Sequence, residues 1–164
     1  MKSTIACVSC GGVTKLTRED RPYGDGLNVT IKGQEVRRCP DCGEEEALFP
    51  AIAQMHEVLA DALVRKLGRL TPAEIRFLRT YLGYSSQDFA DVMAVRLETV
   101  SRWERGDGRY PMKRSNERSL RFLVLAADRV KSYDLSETGR EKVKDGALCL
   151  KQSRGGWQPV APPG

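Results

Sequence analysis

Histidine is nearly missing from this chain: His56 is the only one among 164 residues. With one imidazole, and no nucleophile clustered with a base and oxyanion donors, acid–base or nucleophilic catalysis has no seat. The chain therefore does not read as an enzyme. His56 itself lies on a helical stretch with no unpaired ligand set around it, and reads as a solvent-facing or rim residue. Long apolar runs are missing too. None approaches the ~18 residues of a membrane span, so no membrane partner is expected. The opening Met1-Lys2-Ser3-Thr4-Ile5 lacks the apolar stretch of a signal peptide, which points to the cytoplasm. Residues 1–46 carry 7 basic and 8 acidic residues without interleaved aromatics, a composition that disfavours a single-stranded RNA platform.

Cysteine is sparse, but its placement is informative. Of five cysteines, four form Cys7-Val8-Ser9-Cys10 and Cys39-Pro40-Asp41-Cys42, each followed by glycine, Gly11 and Gly43. A Cys-x-x-Cys turn brings two thiolates to one tetrahedral cation. Two such turns close a Cys₄ shell with no open position, the pattern of one structural Zn²⁺ per chain held by Cys7, Cys10, Cys39 and Cys42. A redox role for Cys7 and Cys10 wants a βαβ context, which this sequence lacks. The 28 residues between the pairs exceed the usual finger gap and predict a hairpin. Its strands are Leu27–Ile31 and Gln34–Arg38, turning at Lys32-Gly33. Forty-odd residues build little core, and a bound metal is the usual remedy. Glu44-Glu45-Glu46 reads as a solvated exit, and Cys149 as a small packed residue.

After Pro50 the apolar period becomes helical. Ile52, Met55, Leu59, Ala62, Leu63 and Leu67 share a face, and Gly68 stops it. Thr71 caps a second helix, with Pro72 in its first position, Glu74 completing a capping box, Ile75, Leu78 and Leu82 inward, and Gly83 at its end. Ser85 caps a short helix with Asp88 as its box partner and Phe89, Ala90 and Met93 inward. Ala94-Val95-Arg96 turns into a helix from about Leu97 to Arg105, which Gly106 ends. A last helix covers Asn116 to about Val130, with Leu120, Leu123, Val124 and Ala127 inward. Residues 147–152 and 157–160 pair as a hairpin that fades into a disordered Ala-Pro-Pro-Gly tail. The expected organisation is a zinc-ribbon module (1–48), a linker helix (49–69), a helical domain (70–130) and a C-terminal extension (131–164). The expected fold class is mainly α with a small β-rich zinc ribbon, an N-terminal Cys₄ module followed by a helix-turn-helix bundle.

Helix, tight turn, helix within about 20 residues is the unit whose second helix enters the major groove of double-stranded DNA. From Arg96 to Arg121 the chain carries 8 basic and 4 acidic residues. Val100 and Trp103, three apart, face the bundle and leave Glu98, Thr99, Ser101, Arg102 and Arg105 outward. Arg102 either offers its fork to guanine O6 and N7 or touches phosphate alone. Thr99 and Ser101 are candidate base contacts beside it. Ser86, Gln87, Arg105, Arg109, Lys113 and Arg114 are candidate phosphate contacts. One short helix reads few base pairs, so a homodimer on a palindromic operator is expected.

The run Ser85-Ser86-Gln87-Asp88-Phe89-Ala90, then Val95, then Val100-Ser101-Arg102-Trp103-Glu104-Arg105-Gly106 resembles the Xre/Cro-type helix-turn-helix. Together with the two Cys-x-x-Cys-Gly turns ahead of it, the chain to about residue 130 resembles the MqsA antitoxin family, with its YgiT-type zinc ribbon. The resemblance implies a bacterial, nucleoid-associated repressor of its own operon, with the ribbon holding a toxin protein. It implies that positions matching Arg102 and Glu98 read bases. Asparagine is typical where Glu98 stands, so the operator should differ. Glu98 either accepts from cytosine N4 or stabilises the positive end of its helix. Arg96 replaces the usual small capping residue and becomes a candidate phosphate contact. The resemblance also implies an ion pair between Arg79 and Glu104 that fixes the recognition helix. A stand-alone regulator, for example of a mobile element, is the alternative. The 34 residues after 130, which exceed the resembled pattern, favour it.

Overall fold

The computed structural model describes residues 5–24, 26–106, 108–128 and 148–161. The chain divides into two compact units. The first gathers residues 1–23, 29–55 and 147–164; the second gathers 24–28 and 56–146.

The first unit is built on a mixed sheet. Its strands are β1 (Lys15–Tyr23), β2 (Val29–Arg38), β3 (Glu45–Ala47), β4 (Leu148–Ser153) and β5 (Gly156–Val160). They run in the order β1-β2-β4-β5, with β3 added to the far half of β2. β1 and β3 pair antiparallel to β2, β4 pairs parallel to it, and β5 pairs antiparallel to β4. The expectation of a mainly α chain with a small ribbon is overturned by this five-stranded sheet. Two physical reasons account for the difference. β1 is an edge strand, exposed along most of its length, so it needs no apolar alternation and its sequence shows none. β2 finds a parallel neighbour in residues from the other end of the sequence, a pairing that no local pattern announces.

Lys32-Gly33 is not a turn. β2 runs straight through it, and Lys32 and Gly33 together oppose the single residue Asp20 in a β-bulge. Gly33 takes φ +63°, the left-handed conformation such a bulge asks of a glycine. Asp20 clamps the bulge, accepting from the Gly33 N–H at 2.9 Å and from Lys32 Nζ at 2.8 Å. Those two hydrogen bonds hold the Asp20 carboxyl below its ordinary pKa. The extra residue resets the strand's parity, so Val29 and Ile31 before it and Gln34 and Val36 after it are all buried. Gln34 donates through Nε2 to the Leu48 carbonyl. Cys149, Leu150 and Trp157 are also buried in this unit. The Trp157 indole N–H donates to the Pro50 carbonyl at 2.8 Å, and its backbone N–H donates to Gln54 Oε1 at 3.1 Å.

Among the described residues five helices follow β3: α1 (Ile52–Arg65), α2 (Pro72–Tyr81), α3 (Ser86–Val92), α4 (Leu97–Arg105) and α5 (Arg114–Asp128). Both capping boxes are present, Thr71 with Glu74 and Ser85 with Asp88. Gly106 ends α4 in the left-handed conformation. Leu59, Leu63, Ile75, Leu78, Phe89, Ala90, Val100, Trp103, Leu120 and Val124 are buried, whereas Ile52 and Leu67 of the expected linker stripe are exposed. The expected end near Val130 and residues 162–164 of the tail lie outside the described residues, as does the side chain of Ala127. Among the described residues no helix is long and apolar enough to cross a membrane.

A charged cluster runs through the second unit's core. Arg121, fully buried, donates from Nη1 to the Val64 and Lys66 carbonyls at 2.8 and 2.7 Å. Its Nη2 donates to the Gly68 carbonyl at 2.7 Å and to Glu117 Oε1 at 2.8 Å. Glu117 also accepts from the Arg69 guanidinium and the Leu70 N–H. These carbonyls lie at and beyond the C-terminal end of α1, where an α-helix has no partners of its own to offer.

Candidate metal centre and nucleic-acid interface

Two matching turns carry the cysteines. In the first, Cys7 N–H donates to Gly12 O and Gly11 N–H to Cys7 O; in the second, Cys39 N–H donates to Glu44 O and Gly43 N–H to Cys39 O. Gly11 and Gly43 sit at φ +75° and +77°. A side chain at either would be strained, which is why each pair is followed by glycine. The four Sγ atoms all lie within 4.8 Å of one another. Across the two turns, Cys7 Sγ is 3.6 Å from Cys42 Sγ, and Cys10 Sγ is 3.4 Å from Cys39 Sγ. With metal–sulfur bonds of ~2.3 Å, a regular tetrahedron has edges of about 3.8 Å, so the set is shaped to hold a metal ion.

The electrostatics agree with the geometry. Backbone N–H groups of Cys10 and Ser9 bring the Cys7 thiol down to about 7. The Gly12 N–H pulls Cys10 the same way, but the crowded thiols of Cys39 and Cys42, with desolvation, push it up to about 12. Four sulfurs this close cannot all ionise against one another; a cation at their centre removes the conflict.

The second constellation sits on α3 and α4, joined by the four residues Met93–Arg96, with Ala94 left-handed at φ 51°. Val100 and Trp103 bury one face of α4. On its other faces Glu98, Arg102 and Arg105 are exposed, and Thr99 and Ser101 are half-buried. Arg96 is the N-cap residue of α4, is exposed, and makes no side-chain cap hydrogen bond. Glu98 stands in the helix's first turn. On α3, Ser86 is half-buried, and the exposed Gln87 donates to Asp91 Oδ1 at 3.0 Å. Arg105 Nε donates to the Ser101 carbonyl at 3.3 Å. Arg109, Lys113 and Arg114 are all exposed after α4.

Arg79 and Glu104 meet as a two-pronged pair, Nε to Oε1 at 2.6 Å and Nη2 to Oε2 at 3.2 Å. Arg79 Nη1 also donates to the Tyr84 carbonyl at 2.7 Å. One guanidinium therefore ties α2 to the end of α4 and to the loop that opens α3. His56 is half-buried and meets the Phe77 ring edge-on at 5.6 Å. Burial lowers its pKa.

Sequence reasoning passed over two features. Tyr110 lies against Arg102, whose Cζ is 4.9 Å from the ring centroid. The other is the buried Glu117–Arg121 pair. Its signal was present: the two are four apart, and Arg121 adjoins Leu120 on the face that carries Val124. No family model and no curated protein matches the chain.

Proposed function

We propose that this protein is a sequence-specific, double-stranded DNA-binding transcriptional repressor stabilised by one structural Zn²⁺ per chain at Cys7, Cys10, Cys39 and Cys42. In this reading α3, the Met93–Arg96 turn and α4 form a helix-turn-helix, and α4 enters the major groove. The observation that carries it is the division of α4. One face is locked down by Val100, Trp103 and the Glu104–Arg79 pair, while Arg102 and Arg105 stand free of that packing on the other. Arg102, Glu98, Thr99 and Ser101 contact bases; Arg96, Ser86, Gln87, Arg105, Arg109, Lys113 and Arg114 neutralise phosphates. A homodimer on a palindrome supplies the site length that one helix lacks. Footprinting on the protein's own upstream region at two salt concentrations tests this. Affinity should fall steeply with salt, and Arg102→Ala should lose sequence preference. Equal binding to operator and random duplexes by the unaltered protein would sink it.

Within this function we infer an MqsA-like antitoxin that autoregulates its operon and holds a toxin through the cysteine-bearing unit, on the strength of the motif order alone. Toxicity of an adjacent small reading frame, relieved by this chain, tests that step. A stand-alone regulator of a mobile element is the second reading. One observation favours it: residues 148–160 complete the first unit's sheet, and the resembled pattern ends near residue 130.

A further inference from the structure

Helix α4 does not end in open solvent. Gly106 and Gly108, at φ +69° and +68°, turn the chain out of the helix. A Cβ on Gly106 would come within 2.7 Å of the Pro72 ring, so the exit is closely confined. A few residues later Met112 is buried, and its carbonyl accepts from the Arg69 guanidinium. Between these two anchors the loop presents Tyr110, exposed, with Arg102 lying over its ring.

We propose that Tyr110 is a positioning residue for sequence readout, holding the Arg102 guanidinium on its ring so that the N–H fork meets a guanine edge already oriented. This rests on the DNA-reading role proposed above. The chemistry suits the task because a guanidinium is planar. The ring occupies a face, and the five N–H donors point outward in the plane, free for O6 and N7. An exposed arginine otherwise samples many rotamers and must give them up on binding. A ring beneath it lowers that cost without competing for its donors. The phenol hydroxyl is not needed for this, so phenylalanine should serve and alanine should not.

The test uses the full-length, metal-loaded protein with duplexes from its own upstream region and random duplexes of equal length. Tyr110→Ala should lower the ratio of operator to random affinity by roughly two- to fivefold, as expected for losing one exposed cation–π contact. Random-duplex affinity and the salt slope should stay unchanged, because no phosphate contact is lost. Tyr110→Phe should retain the ratio. In an Arg102→Ala background, Tyr110→Ala should change nothing further. If Arg102→Ala abolishes preference while Tyr110→Ala leaves it intact, the positioning role is wrong and the DNA reading stands. If Tyr110→Ala costs the same with and without Arg102, the ring makes its own contact and the proposal fails. If the unaltered protein shows no preference at all, the DNA reading itself has failed.

Discussion

Replacing Arg121 by methionine keeps much of the side chain's length and removes a guanidinium that has no exposure to solvent. Three carbonyls, those of Val64, Lys66 and Gly68, lose the Arg121 donor, and Glu117 loses one of its partners. Breaking a buried ion pair by removing one member costs about 3–5 kcal/mol. Each orphaned buried acceptor adds on the order of 1 kcal/mol. These contributions overlap, because the carbonyls and the carboxylate face the same space, so about 4 kcal/mol is expected rather than their sum. Arg121→Lys should cost about 2 kcal/mol, since an ammonium keeps the charge but lacks a fork able to serve four acceptors. Adding Glu117→Leu to Arg121→Met should not restore stability. It would leave the carbonyls without the Arg121 donor and deprive Arg69 and the Leu70 N–H of their acceptor. Urea denaturation followed by circular dichroism at the helical band measures all three. A loss below about 1 kcal/mol for Arg121→Met, with an unchanged slope, would refute the view that this cluster anchors α5 to the end of α1.

Trp157→Ala should destabilise the first unit by about 3–5 kcal/mol and speed metal release to a chelator, as the loss of a buried indole requires; unchanged release kinetics would contradict the packing described. Glu104→Gln should cost about 2 kcal/mol and weaken operator binding, because Arg79 keeps the Tyr84 carbonyl but loses its charged partner. An unaltered melting temperature together with unaltered DNA affinity would dismiss that brace. Cobalt(II) titration should give the strong visible absorption of a tetrahedral thiolate site, and Cys42→Ser should weaken it; chelation should unfold the first unit before the second.

Elements announced by local chemistry were legible. Thr71 with Glu74, Ser85 with Asp88, and the left-handed Gly106 each declare a helix end within a few residues, and the structure has all three. The cysteine turns were legible for the same reason, since ligand spacing is a local property. What escaped depends on partners distant in sequence. β1 has no apolar period because both of its faces are largely wet. Gly33 looked like a turn because a glycine at positive φ serves a hairpin corner and a bulge alike, and only the register distinguishes them. The Glu117–Arg121 spacing is visible in the sequence, but the three backbone carbonyls that Arg121 serves leave no mark on it. Tyr110 stands in a loop, where no periodicity ties it to Arg102.

The bond from Trp157 to Gln54 spans 103 residues, and the neighbouring β4 lies against a strand made long before it. On the ribosome, β2 therefore waits with one edge incompletely paired while residues 56–146 are translated. A prematurely terminated product would carry the cysteines but not the strands that finish their unit, leaving a sticky edge for proteases and chaperones to recognise. Synthesis of β4 and β5 thus becomes a condition for the earlier strands to persist.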